Sequence, residues 1–173
     1  MKDGFIRIAA ASPTVKVADC ISNRENILEM IKAAEEKDAS VIVFPELCVT
    51  GYTCGDLFLQ TKLIKEAAAS VKEIAEKTAD FDIISIVGFP FAVDFKLYNC
   101  AAVIFKGKVI AIIPKENIPN SSEFYEGRHF ASAKGEKERE VDFFGEKKPF
   151  GRAIISAVNL EEFAFSAEIC EDL

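Results

Sequence analysis

Much of what marks a metalloprotein, a nucleic-acid binder or a membrane protein is missing from this chain. Its 173 residues hold a single histidine, His129, with no ligand-bearing neighbours in sequence, so no histidine-based metal site is indicated. The five cysteines at positions 20, 48, 54, 100 and 170 are odd in number and widely spaced, which speaks against a disulfide framework. Cys48 and Cys54, with five residues between them, do not have a zinc-ligand spacing. Twenty-one Lys and Arg against 28 Asp and Glu leave a formal charge of −7 and no basic cluster, a poor match for nucleic acid or an anionic membrane. The longest apolar stretches, IRIAAA and IISIVGFPFAV, fall short of a membrane span, and no basic-then-apolar leader precedes Phe5. There is no internal repeat and no low-complexity linker. The expectation is a cytoplasmic protein without a metal.

Half of the residues are hydrophobic, and a chain of this length buries roughly 70% of its unfolded surface in one domain. FIRIAAA (5–11) reads as a first buried strand. Ser22 with Glu25 three residues on forms a capping box, and Ile27, Met30, Ile31 and Ala34 then recur at helical spacing, predicting a helix over 23–37. VIVF (41–44) is the next strand, a second helix is marked by Leu63, Ile64, Ala67, Val71, Ile74 and Ala75, and DIISIVG is a third strand. Strand, helix, strand in repetition predicts a sheet with parallel pairs and right-handed crossovers. After residue 97 the chain turns mostly β. LYNCAAVIF and VIAIIP flank Lys106-Gly107-Lys108 as a hairpin, residues 116–139 read as a long surface loop with an aromatic cluster of Phe124, Tyr125 and Phe130, and two β segments follow at 153–158 and 163–169.

Three segments each end an apolar, strand-like run on one reactive side chain: VIVFPELCVTGY (41–52), VIAIIPKENIPN (109–120) and FAFSAEICEDL (163–173). They deliver Glu46, Lys115 and Cys170 to strand exits, where α/β proteins collect their chemistry. Taken singly, each has a plainer reading: a core thiol, a solvated strand-end carboxylate, a surface ammonium. Taken together they are a nucleophile, a base and a positive charge, a sufficient kit for acyl transfer through a thioester. The ammonium would favour the thiolate and, with the backbone N–H of Glu171, stabilise an oxyanion, while Glu46 would carry the proton. With one histidine in the chain, papain-like Cys-His catalysis is the weaker alternative.

A Glu, Lys, Cys series in this order on this strand pattern resembles the nitrilase (carbon–nitrogen hydrolase) superfamily. FPELCVTGYTCGDLF (44–58), KLYNCAAVIFKGK (96–108), PKENIPNSSEFYEGRHF (114–130) and EICEDL (168–173) resemble more closely its branch of glutaminase domains from glutamine-dependent NAD+ synthetases. The resemblance implies an α/β fold, an αββα sandwich incomplete at its C-terminal side, with residues 1–173 forming a partial glutaminase domain and the ATP-dependent synthetase domain absent. It implies Glu46 as general base, Lys115 as catalytic lysine and Cys170 as nucleophile. Glu123 falls where the superfamily often has a second glutamate near the lysine. Ser121 stands where the family usually has a tyrosine associated with glutamine binding, a departure that bears on substrate affinity. Tyr52 and Asp56 also match the branch and read as scaffold and loop-positioning residues.

The implied substrate is glutamine, whose ammonia passes to the synthetase domain for amidation of deamido-NAD+. The implied assembly is a homo-oligomer. No cofactor is implied for this domain, and ATP with Mg belongs to the synthetase domain; no Ser-Gly-Gly-type pyrophosphate loop occurs in these residues. The alternatives are a free-standing amidase acting on another small amide, and a non-catalytic fragment.

Overall fold

A computed structural model describes residues 5–158 and 160–173. Its elements run β1 (Ile8–Ala10), α1 (Cys20–Glu35), β2 (Val41–Val43), 3-10 turns over Tyr52–Leu59, α2 (Thr61–Lys77), β3 (Ile84–Val93), β4 (Lys96–Phe105) and β5 (Lys108–Pro114). A 3-10 turn (Glu126–Arg128), β6 (Arg139–Phe143), β7 (Glu146–Phe150), β8 (Ile155–Ala157), β9 (Leu160–Phe165) and a last 3-10 turn (Cys170–Asp172) complete it. Seven strands form one sheet in the order β1-β2-β3-β4-β5-β7-β6, and β8 and β9 form a second sheet. The β1-α1-β2-α2-β3 half is parallel, as the alternation of elements predicts, and the β3-β4-β5 half is an antiparallel meander.

Period-two alternation divides the sheet between two layers. Ile42, Val87, Ala102 and Ile112 point to the face covered by α1 and α2, in one cluster with Ile27, Ile31, Val71 and Ile74. Each fully buried Ile or Val among them contributes about 1.5–3 kcal/mol of transfer free energy. Val41, Ile86, Ala101, Val103, Ala111 and Ile113 point the other way, against Ile155, Phe163 and Phe165 of the small sheet. The architecture is α/β, and its order of helix layer, large sheet and second sheet matches the first three layers of the expected sandwich.

Local details differ from the expectations. Helix α1 begins at Cys20, because the Asp19 carboxylate accepts from the Ser22 N–H (3.0 Å) and caps the helix. Glu25, the expected second half of a capping box, is held by Arg24 and Lys77. Strand β3 runs on to Val93 through Pro90. β2 pairs only with Ile84–Ile86, so the β2 side of Pro90 has no ladder partner and a missing N–H is tolerated there. The 116–139 segment is not merely a surface loop: it buries Glu126, Phe130 and Ala133. The β6-β7 hairpin, unread in the sequence, turns at Phe144 and Gly145, both at positive φ, and buries Val141, Phe143 and Phe150.

Candidate active site

Glu46 comes just after β2. The Phe44 N–H still donates to the Ile86 carbonyl (2.9 Å), and the chain then leaves the sheet in a turn where Leu47 has a φ of +51°. This turn lies directly on β3 at Gly88, where a Cβ would stand 2.5 Å from the Leu47 nitrogen and 2.6 Å from the Pro45 oxygen. Only glycine lets two backbones approach so closely.

Lys115 is the first residue after β5 and is tied down on both sides: its N–H donates to the Asn99 carbonyl (2.8 Å) and its carbonyl accepts from the Ala133 N–H (3.1 Å). Its side chain is 0% exposed. Nζ donates to Glu46 Oε1 at 2.6 Å and lies 2.9 and 3.0 Å from the two carboxylate oxygens of Glu126. Asn99, itself buried, donates from Nδ2 to the same Glu46 oxygen at 2.5 Å, and the Tyr52 hydroxyl donates to Glu126 Oε1 at 2.7 Å. Burial works to lower the pKa of the Lys115 ammonium, but hydrogen bonds and charge from Glu46 and Glu126 outweigh it and hold the pKa above the ordinary lysine value. Burial, then the Glu126 carboxylate, pushes the Tyr52 phenol upward.

Cys170 opens the last 3-10 turn, is exposed, and has a φ of +52°. It shares with Glu46 a cavity of about 230 Å³ lined also by Val43, Phe44, Gly88 and Ile169. Enclosure raises the thiol's pKa, Lys115 lowers it, Glu46 raises it, the Glu171 N–H lowers it and Glu126 raises it, with a net upward shift. Lys115 does pull the thiol's pKa down, as expected, but enclosure and the two carboxylates outweigh it. The ammonium is shared between two carboxylates, and its pull on the thiol is offset by theirs. An upward shift favours the protonated thiol, so a nucleophilic role would call on a neighbouring base.

Glu46, Lys115 and Cys170 therefore meet, although they lie far apart in the chain. Glu123 and Ser121 do not join them: both are exposed. The glutamate beside Lys115 is Glu126, a correction with a clear local cause. The Glu126 N–H donates to the Pro119 carbonyl (3.2 Å), and the Glu126 carbonyl accepts from the N–H of the buried Phe130 (2.8 Å), so the turn directs residue 126 inward. Asp56 acts on the same segment from outside, bonding Arg128 at 2.7 and 2.9 Å and His129 Nε2 at 3.0 Å.

Asn99 also escaped the sequence reading. Its signal was a polar residue inside the apolar run LYNCAAVIF, where burial demands a partner. Glu126 had no signal beyond the nearby aromatics. Among the described residues, no helix is long and apolar enough to cross a membrane.

Residues 7–173 match the family model described as "Carbon-nitrogen hydrolase". The chain is 33% identical over 171 residues to the glutamine-dependent NAD(+) synthetase of Mycobacterium tuberculosis, an alignment covering 98% of this chain and 25% of that protein. Among solved structures, the glutamine-dependent NAD(+) synthetase of Cytophaga hutchinsonii superposes with a TM-score of 0.89 at 30% identity, over 97% of this chain and 28% of that one. The glutamine-dependent NAD+ synthetase of Acinetobacter baumannii, solved in complex with ADP, superposes with a TM-score of 0.66 at 29% identity, over 82% of this chain and 26% of that one. The chain thus spans about a quarter of the length of the curated relatives it matches. With its Glu, Lys and Cys brought to one site on an α/β sheet, this chain belongs to the carbon–nitrogen hydrolase family.

Proposed function

We propose that this domain hydrolyses the side-chain amide of glutamine through a thioester on Cys170. One observation carries the reading: a fully buried ammonium, bonded to two glutamates, one of which shares a cavity with an exposed thiol. The raised thiol pKa gives Glu46 its first task, taking the proton from Sγ as the sulfur adds to the amide carbon. Lys115 and the Glu171 N–H face the charge that develops on the carbonyl oxygen. The tetrahedral adduct collapses, the C–N bond breaks, and Glu46 returns the proton to the departing ammonia. Glu46 then takes a proton from water as the water adds to the thioester carbonyl; glutamate leaves and the thiol is restored. Glu126 keeps Lys115 charged and in place, with Tyr52 holding Glu126.

The names of the relatives supply the destination of the ammonia. In this reading it passes to an ATP- and Mg-dependent amidation of deamido-NAD+, carried out by a synthetase domain outside these residues, in a cytoplasmic homo-oligomer. Five free thiols fit such a reducing compartment. Ser121 supports a second reading, an amidase for another small amide, because it stands where the family tyrosine is expected. Release of glutamate and ammonia from glutamine, compared with a panel of small amides, tests both. Glutamine should be the preferred substrate, with activity lost in Cys170→Ala. Preference for another amide would favour the second reading, and turnover surviving Cys170→Ala would sink both.

A further inference from the structure

The turn that carries Cys170 is fastened to the segment that carries Lys115 by one side chain to which the mechanism above gives no task. The Asp172 carboxylate accepts from two consecutive main-chain N–H groups of the segment that follows Lys115. Oδ1 accepts from the Asn117 N–H at 2.7 Å and from the Glu116 N–H at 3.0 Å, and Oδ2 lies 3.2 Å from the Glu116 nitrogen. Asn117 reciprocates, donating from Nδ2 to the Glu171 carbonyl at 3.1 Å. Glu116 is itself steadied by the Arg152 guanidinium, with Nε 2.6 Å from its carboxylate. Three hydrogen-bonding links thus join residues 116–117 to residues 171–172, next to Lys115 on one side and Cys170 on the other.

These contacts are not a local cap. The main-chain N–H of Asp172 donates to the Ile169 carbonyl within its own turn (3.1 Å), whereas its side chain reaches across 55 and 56 residues of sequence. Cys170 has a φ of +52°, a left-handed conformation that a non-glycine residue keeps only where its surroundings over-determine it. A carboxylate accepting backbone N–H groups is among the stronger restraints available to a partly exposed turn. Without it, two part-buried N–H groups would be orphaned and the turn could swing away from the ammonium.

We infer that Asp172 is a positioning residue, whose carboxylate locks the Cys170 turn onto the Lys115 segment and so sets the distance between nucleophile and ammonium. The inference rests on Cys170 being the nucleophile. Its test uses two reagents on the intact protein, read by peptide mapping at Cys170: a diazoketone analogue of glutamine, which must be bound and oriented, and iodoacetamide, which needs only an accessible thiol. In Asp172→Ala the glutamine analogue should react at least about tenfold more slowly, since a displacement of about one ångström can cost a site 10²-fold. Iodoacetamide should react as fast as before or faster.

Asp172→Asn keeps an oxygen at the Oδ1 position, with both of its donors, and should recover most of the lost rate. Should Asp172→Ala fail to fold, Asp172→Glu serves instead: it keeps the charge but displaces the carboxylate, and should show the same loss for the glutamine analogue alone. Equal analogue rates in the wild type and the displaced or truncated variant would overturn the positioning role. So would parallel losses with both reagents, or an Asp172→Asn variant as slow as Asp172→Ala. Absence of analogue label on wild-type Cys170 would instead overturn the nucleophile assignment, a distinguishable failure.

Discussion

Lys115 and Cys170 serve one site but are held by different physics. The lysine leaves a central strand, has its main chain bonded on both sides, and is fully buried among Glu46, Glu126 and, through them, Asn99 and Tyr52. The cysteine sits exposed on a short turn at positive φ, tied to the rest of the fold by polar contacts from its neighbours. The electrostatic apparatus therefore belongs to the core, whereas the proposed nucleophile is docked onto it. Damage to the first should cost both stability and rate, and damage to the second mainly rate.

The largest effect should come from Lys115→Met. It leaves two carboxylates facing each other, one 5% and the other 18% exposed, and breaking a buried pair in this way costs about 3–5 kcal/mol. Urea unfolding should show that loss, and glutaminase turnover should fall by about 10²-fold or more. Glu46→Gln should separate the two properties. Its amide oxygen can still accept from Lys115 and Asn99, so stability should change by less than about 1.5 kcal/mol, while loss of the base lowers turnover by about 10²-fold. Destabilisation by Cys170→Ala as large as that by Lys115→Met would break the comparison.

The same contrast explains what was legible in the sequence. Glu46, Lys115 and Cys170 could be singled out because each ends an apolar run, a one-dimensional signal, although only Lys115 directly follows a strand and Cys170 lies five residues past the end of β9. The parallel half of the sheet and its two helices were visible through period and spacing. Glu126 was not, because its approach to Lys115 depends on how residues 119–130 fold back, and position alone pointed to the exposed Glu123. The net direction of the Cys170 pKa was equally hidden, since it depends on how many carboxylates share one ammonium. The β6-β7 hairpin was missed because EVDFFGEKKPF is short and charged, and becomes a recognisable strand pair only once Phe143 and Phe150 have a core to enter.

A smaller effect concerns pH. The folded pKa of Cys170 is raised, so alkylation of Cys170 should keep accelerating above the ordinary thiol value of about 8.5. Lys115→Met should move that profile further up, because Lys115 is a lowering influence on the thiol. The raised Lys115 pKa contributes stability that is fully present below its unfolded value of about 10.4 and is lost as pH rises through the folded value. The smallest effect is expected at Ser121, an exposed residue: Ser121→Tyr should lower KM for glutamine severalfold and leave the rate of thioester formation unchanged.

The most direct measurement is the site of covalent labelling by a glutamine-like electrophile, read across all five cysteines. Cys20, Cys48, Cys54 and Cys100 are buried and Cys170 is exposed. Burial pushes the Cys20 and Cys48 thiols up to about 12. The account predicts label on Cys170 alone, abolished by prior incubation with glutamine. Label on any other cysteine, or label on Cys170 that glutamine does not suppress, would contradict it.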